Sequence, residues 1–301
     1  MFEKKGAYFL FFVLAIISIS LVSAGISDFF RVTGQATSQK TNVTVSFRDK
    51  YPAVIQSVTP PVSVNPTELG VSYVNISVVV YNFDKLRDLN FSSVFVNITN
   101  GSTSYSVQCD NVNNISNREA NFSCSVPIWY WDTAGSWNVG ATASDIGNKT
   151  PAHNVSTYFT YNLLKAMVIS PDLLTWPVLE TYATNQESDN DPTIINNTGN
   201  YNGTIEITGY DLLGEEDISE MISAENFTAG LAAGSVCTSG DGLINATAVT
   251  ITNAVPNPGN LSKSDGSGQE QIYYCIPNVP NVTSQIYSTL NSSSWVVAYG
   301  L

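Results

Sequence analysis

Twenty-five acidic residues against 12 basic ones give this 301-residue chain a formal net charge of −13, and charged residues make up only 12% of it. That balance excludes nucleic acid as a partner, because phosphate binding needs concentrated Lys and Arg. Solubility must come instead from uncharged polar side chains, of which the chain holds 30 Asn, 27 Thr and 35 Ser.

Residues 1–24 read as a secretory signal. Lys4 and Lys5 precede an uncharged apolar run, Ala7 to Val22, and Val22-Ser23-Ala24 offers small residues for cleavage before Gly25. Two alternatives stay open. Left uncleaved, residues 7–22 would form an apolar helix at the short end for a membrane span and would be the chain's one membrane contact. Lys-Lys-Gly before the run also resembles a type IV pilin leader cut after Gly6, although Ser18, Ser20, Ser23 and Gly25 interrupt the helix such a leader leaves. The mature N-terminus is accordingly Gly25, Met1 or Ala7. Residues 25–41 are small and polar apart from Phe29 and Phe30, as expected of a linker.

From Asn42 the pattern turns to alternation. In Asn42–Phe47, Val43, Val45 and Phe47 share one face and Asn42, Thr44 and Ser46 the other. The same pattern recurs over Val74–Tyr81, Phe91–Thr99, Ala120–Pro127, Ser136–Asp145 and Asn154–Tyr161, with turns such as Asn100-Gly101 and Gly147-Asn148 between them. Short strands at this spacing predict a β-sandwich over residues 42–162.

The stretch Trp131 to Thr150, reading WDTAGSWNVGATASDIGNKT, resembles the penultimate strand and its approach in extracellular immunoglobulin-like modules. The resemblance implies that the glycine makes the turn into that strand and that Trp137 packs between the sheets. It supports fold and not activity.

A second, acidic β-sandwich is predicted over residues 163–301. Leu164–Pro171 and Trp176–Thr184 lead into Asp189–Gly214, where two strands flank an Asn-Thr-Gly-Asn turn; this resembles the early hairpin of repeated immunoglobulin-like domains on microbial surfaces. Glu215–Phe227 is the plausible short helix, with Ile218, Met221 and Ile222 at helical spacing. Asn245–Thr252, Glu270–Pro277 and Ser294–Leu301 complete the strands. No apolar tail or lipidation motif follows, so the C-terminus is expected not to be an anchor. The expected fold class is all-β: two tandem immunoglobulin-like sandwiches after an N-terminal signal or apolar helix. The charge is lopsided, with eight acidic and six basic residues from Asn42 to Asn162, and fifteen acidic residues against Lys165 and Lys263 from Leu163 onward. Leader, linker and tandem sandwiches together resemble secreted surface proteins of small-genome archaea, which implies an envelope location.

Sixteen asparagines head an N-x-Ser/Thr triplet without proline: Asn42, Asn75, Asn90, Asn97, Asn100, Asn114, Asn121, Asn148, Asn154, Asn196, Asn202, Asn226, Asn245, Asn260, Asn281 and Asn291. Random order would give about six. Part of the excess reports strand alternation, since Asn75-Ile76-Ser77 and Asn97-Ile98-Thr99 place their polar residues on one face. They are candidate glycan sites on a secreted or cell-surface protein. Four cysteines fit an oxidising compartment. Of three possible pairings, the domain division favours Cys109 with Cys124 and Cys237 with Cys275. The first would staple neighbouring strands or their loop, beneath a turn at Asn111–Asn117. No C-x-x-C occurs and His153 is the one histidine, which disfavours zinc.

Candidate chemistry is sparse. Glu187–Asp191 with Asp211, or with Glu215-Glu216-Asp217, could converge on calcium, although no EF-hand spacing is present; a solvated acidic loop is the competing reading. No G-x-S-x-G elbow accompanies His153, and neither predicted domain has the size usual for a glycosidase scaffold, so no catalytic residue and no enzyme activity is expected. Trp129 and Trp131 share a face and would stack on sugars if exposed, or fill the core if buried. Two functions fit: a self-assembling structural subunit of a surface layer or filament, with Asn42–Phe47 donated to a neighbour's sheet, and an adhesin that binds glycans or proteins, with calcium as a possible requirement. Self-association or neighbouring envelope proteins, with covalent N-glycans, are the expected partners.

Overall fold

A computed structural model describes residues 51–147 and 152–300, with Thr44 alone before them. The signal, the linker and the Asn42–Phe47 strand otherwise lie outside the described residues. Among those described the chain is nearly all β, 48% strand against 4% helical, and no helix is long and apolar enough to cross a membrane.

Strands β1 (Val54–Thr59), β2 (Ser63–Val64), β3 (Val71–Tyr81), β4 (Leu89–Asn100), β5 (Thr103–Gln108), β6 (Asn111–Asn114), β7 (Glu119–Trp129), β8 (Gly135–Asp145) and β9 (Ala152–Tyr161) form two sheets. One runs β1-β3-β7-β6 and the other β2-β9-β8-β4-β5. All pairs are antiparallel except β2 with β9. Period-two patterning decides which face is inward. Val74, Ile76, Val78 and Val80 of β3 and Phe122, Cys124, Val126 and Ile128 of β7 are buried, in register as Val78↔Phe122 and Ile76↔Cys124. Val94, Val96 and Ile98 of β4, and Trp137, Val139, Ala141 and Ala143 of β8, complete the same core. Each such aliphatic side chain, fully buried, contributes about 1.5–3 kcal/mol. Gly135, at φ +121°, turns the chain into β8 where a β-carbon would be strained.

A second core gathers Ile195, Ile205, Ile207, Phe227, Ala229, Leu243, Ile251, Ile272, Tyr274 and Ile276. Its strands are shorter: β10 (Met167–Ser170), β11 (Thr184–Glu187), β12 (Thr193–Asn197), β13 (Ile205–Thr208), β14 (Leu212–Gly214), β15 (Met221–Ile222), β16 (Thr228–Gly230), β17 (Asp241–Gly242), β18 (Ala248–Thr250), β19 (Gln269–Asn278), β20 (Tyr287–Ser288) and β21 (Val296–Tyr299). The long strand β19 receives β12, β16 and β11, while β18-β13-β21 and β15-β14-β20 are separate three-stranded sheets. A single helical turn, α1 (Val236–Ser239), lies against β19.

Four expectations are corrected. The residues flanking Asn-Thr-Gly-Asn are no hairpin: β12 joins the β19 sheet and β13 another. The cause is Asn197, which is buried, donates to the carbonyls of Tyr201 and Pro256 (both 2.7 Å) and accepts from Gly199 N (3.0 Å), so the chain is carried across to a different layer. Glu215–Phe227 is no helix but β15 and one 3-10 turn (Ala224–Asn226), with Ile218 and Met221 exposed. Ser219 N and Oγ bond back to Asp217, and Ser223 accepts from Glu225 N; such short polar side chains compete with helical bonding. Asn111–Asn114 is strand β6 and not a turn. The Cys109–Cys124 bridge, expected across neighbouring strands or their connecting loop, runs from the residue that follows β5 to β7, and hence from one sheet to the other. Cys237–Cys275 ties α1 to β19.

Candidate functional site

Strand β7 ends in a turn that presents aromatic side chains outward. Asp132 N donates to the carbonyl of Trp129 (2.9 Å), and Asp132 Oδ2 accepts from Trp129 N (2.7 Å). Tyr105 OH donates to the same carboxylate at 2.8 and 2.9 Å, and Tyr161 OH donates to the carbonyl of Trp129 at 3.1 Å. Burial pushes Asp132 above the usual carboxylate range, opposed by the bonds from Trp129 and Tyr105. Burial, then the hydrogen bond and charge of Asp132, raises Tyr105 well above an ordinary phenol. The turn leaves β7 in one sheet and is fixed by Tyr105 and Tyr161 of the other, and it holds the Trp129 and Trp131 rings stacked at 4.9 Å and 9°. Trp129 is 37% exposed and Tyr130 only 3%, so the exposed alternative for this pair holds for Trp129, while Trp131 is half-buried.

Beside the stack lies an open cleft of about 590 Å³ lined by Leu69, Trp129, Tyr130, Trp131, Asn260, Leu261 and Ser262. Leu261 N donates to Tyr130 OH at 3.3 Å, and Leu69 N to the carbonyl of Thr198 at 3.3 Å. Thr198 Oγ1 also donates to Glu68 at 2.6 Å. The cleft therefore sits on a hydrogen-bonded seam that joins Glu68, Leu69 and Tyr130 to Thr198 and Leu261. The sequence marked Trp129 and Trp131 but not their juxtaposition with Asn260, which is 131 residues from Trp129 and carries no local signal.

Thirteen of the sixteen sequon asparagines can be placed. Asn75, Asn90, Asn97, Asn114, Asn202, Asn245, Asn281 and Asn291 are exposed, and Asn100, Asn121, Asn196, Asn226 and Asn260 are half-buried. Asn42 and Asn148 lie outside the described residues; Asn154 is on β9, as is His153, and their side chains are outside the description. The three asparagines buried among the described residues, Asn82, Asn197 and Asn200, all stand outside sequons.

The acidic residues weighed for calcium bind different neighbours. Glu187 Oε1 accepts from Gly234 N, Asp211 from Ala224 N and Asn245 Nδ2, Glu215 from Ser288 Oγ, and Asp217 from Ser219. No three His, Cys, Asp or Glu side chains come together among the described residues. Asp191 is separate: burial first, then the nearby Glu187 charge, pushes it up to about 6 from 3.8, against the bond it accepts from Tyr274 N. Its Oδ1 is buried without a partner. With the folded value raised, the group's contribution to stability is full below about pH 4 and is lost as pH rises through about 6. Asp191→Asn should thus melt higher than the parent at pH 7, with the gap closing at pH 4. A variant that melts lower at pH 7 would contradict this.

No family model matches the chain, and no curated protein does. The secreted serine protease VesC from Vibrio cholerae aligns at 13% identity over 82% of this chain and 51% of its own, with a TM-score of 0.23. The chain thus spans about half the length of that protein, and so low a score carries no argument about fold or activity.

Proposed function

We propose that this chain is an extracellular structural glycoprotein, a self-assembling subunit of a cell-surface layer or filament built on immunoglobulin-like sandwiches. One observation carries the glycoprotein part: among the described residues no sequon asparagine is buried, whereas the buried asparagines Asn82, Asn197 and Asn200 stand outside sequons. A bulky glycan requires a solvent-facing acceptor, and strand alternation does not account for Asn202, Asn245, Asn281 and Asn291, which are exposed outside the strands. Two disulfides are in keeping with an oxidising, extracellular compartment, as is the signal read at residues 1–24.

The strand orders support the immunoglobulin-like reading of the first half. Sheet β1-β3-β7-β6 corresponds to A-B-E-D, and β9-β8-β4 of the facing sheet to G-F-C. The disulfide departs from the usual B–F position. The acidic half is read as a second sandwich around its own core, with the domains meeting near residue 162. Outer faces carrying Asn75, Asn97 and Asn121 would be crowded by sugar, which leaves sheet edges as contact surfaces, including that of the N-terminal strand proposed for donation.

Glycopeptide mass spectrometry of the native protein tests the first part, with sugar expected on most of the eight exposed sequons; sixteen bare asparagines would overturn it. Deletion of Asn42–Phe47 should abolish assembly, and unchanged assembly would remove strand donation. The second reading, an adhesin for glycans, is favoured by the exposed Trp129 beside its cleft. Monomeric behaviour with selective binding on a glycan array would decide for it.

A further inference from the structure

We propose that the cleft beside Trp129 and Trp131 is the seat of the chain's own glycan: sugar attached at Asn260 folds back onto the two indoles. This rests on the glycoprotein reading above and assigns one attachment site a built receptor. Three of the residues that line the cleft with the tryptophans, Asn260, Leu261 and Ser262, are the sequon triplet itself.

The triplet is poised for modification. Asn260 Oδ1 accepts from Ser262 N (3.0 Å) and Ser262 Oγ (2.7 Å), while Asn260 Nδ2 makes no hydrogen bond among the described residues. At Asn245, by contrast, Nδ2 is tied to Asp211 Oδ2 at 2.8 Å. In the transfer, Asn260 Nδ2 would bond to the anomeric carbon of a lipid-phosphate-linked oligosaccharide and lose one proton. The donor's C1–O bond breaks and the electron pair leaves with the phosphate.

The triplet is also held in place. Leu261 N is bonded to Tyr130 OH, and a β-carbon on the buried Gly259 would collide with the backbone of Gly268, so the loop is packed against its neighbour. The volume, about 590 Å³, falls in the range of ordinary small-molecule sites, roughly 300–1,000 Å³. A sugar ring offers an apolar face of C–H bonds, and the indole π face is its electrostatic complement. Tethering decides the occupant. A sugar fixed to Asn260 reaches the indoles at an effective concentration of about millimolar, which free glycan or a second copy of the chain must exceed.

The experiment uses native-host glycoprotein, with Ser262→Ala to remove the sequon while keeping Asn260. N-bromosuccinimide oxidation of each tryptophan is read by peptide mass spectrometry, alongside glycan occupancy at every sequon. The proposal expects Asn260 occupied, and oxidation of Trp129 and Trp131 rising several-fold in Ser262→Ala with buried Trp137 unchanged. Equal oxidation in the two proteins with Asn260 occupied would overturn it. So would Asn260 bare while other sequons carry sugar, an outcome that leaves the glycoprotein reading standing; sugar on no sequon sinks both. Protection that grows with protein concentration, or that only added glycan restores, assigns the cleft to a second copy or to a foreign ligand and also overturns it.

Discussion

Trp137→Ala should cost about 3–5 kcal/mol, the range for emptying a large aromatic site in a packed core. Trp137 is wholly buried, between Tyr105 at 6.1 Å and Phe159 at 6.4 Å, with both ring pairs stacked. Its Nε1 donates to the carbonyl of Thr133 at 3.0 Å, so truncation both opens a void and strips a partner from the turn preceding β8. Tyr105, which would lose a neighbouring ring, also holds Asp132, and through it the turn that presents Trp129. Against a total stability of about 5–15 kcal/mol, the loss is a large fraction. Urea denaturation of the full chain followed by circular dichroism should register it as a lower midpoint at unchanged slope. Trp129→Ala, at a partly exposed stack, should cost clearly less, since about a third of its surface already meets solvent and no packed void is opened. Equal costs for the two would mean that the core does not close on Trp137.

The first half was legible because its long strands obey period two. In β3 the sequence Val-Asn-Ile-Ser-Val-Val-Val places Val74, Ile76, Val78 and Val80 inward, and the structure buries those four. Strand β1 carries no clear period because a register shift between Ile55 and Ser57 breaks its alternation. Strand β5 is an edge that turns only Tyr105 and Val107 toward the core, so its apolar signal is thin. The second half was less legible for a related reason. Apart from β19 its strands hold two to five residues, too short to display a period, and a buried side chain such as Asn197 redirects the chain by bonds to carbonyls up to 59 residues away. In Glu215–Phe227 the helical spacing of Ile218, Met221 and Ile222 was present, but two of the three face solvent. The aromatic half of the site could be read from Trp129-Tyr130-Trp131-Asp132; its asparagine half arrives only through folding.

Those short strands also decide which covalent link should matter more. Replacing Cys237 and Cys275 by alanine reopens a loop of 38 residues, which the chain-entropy model values at about 4 kcal/mol, against about 3 kcal/mol for the 15-residue Cys109–Cys124 loop. The local consequence should differ more than the totals. Cys124 lies within an eleven-residue strand paired along its whole length with β3, so its sheet survives loss of the bridge. Cys237 lies in one helical turn, too short to be stable alone, and is anchored by Val236 and the sulfur to β19. The adjoining β16 and β17 hold three and two residues. Hydrogen exchange should therefore show protection lost across residues 228–242 in the Cys237/Cys275 variant, with β3 and β7 still protected in the other. Unchanged exchange over residues 228–242 would refute this.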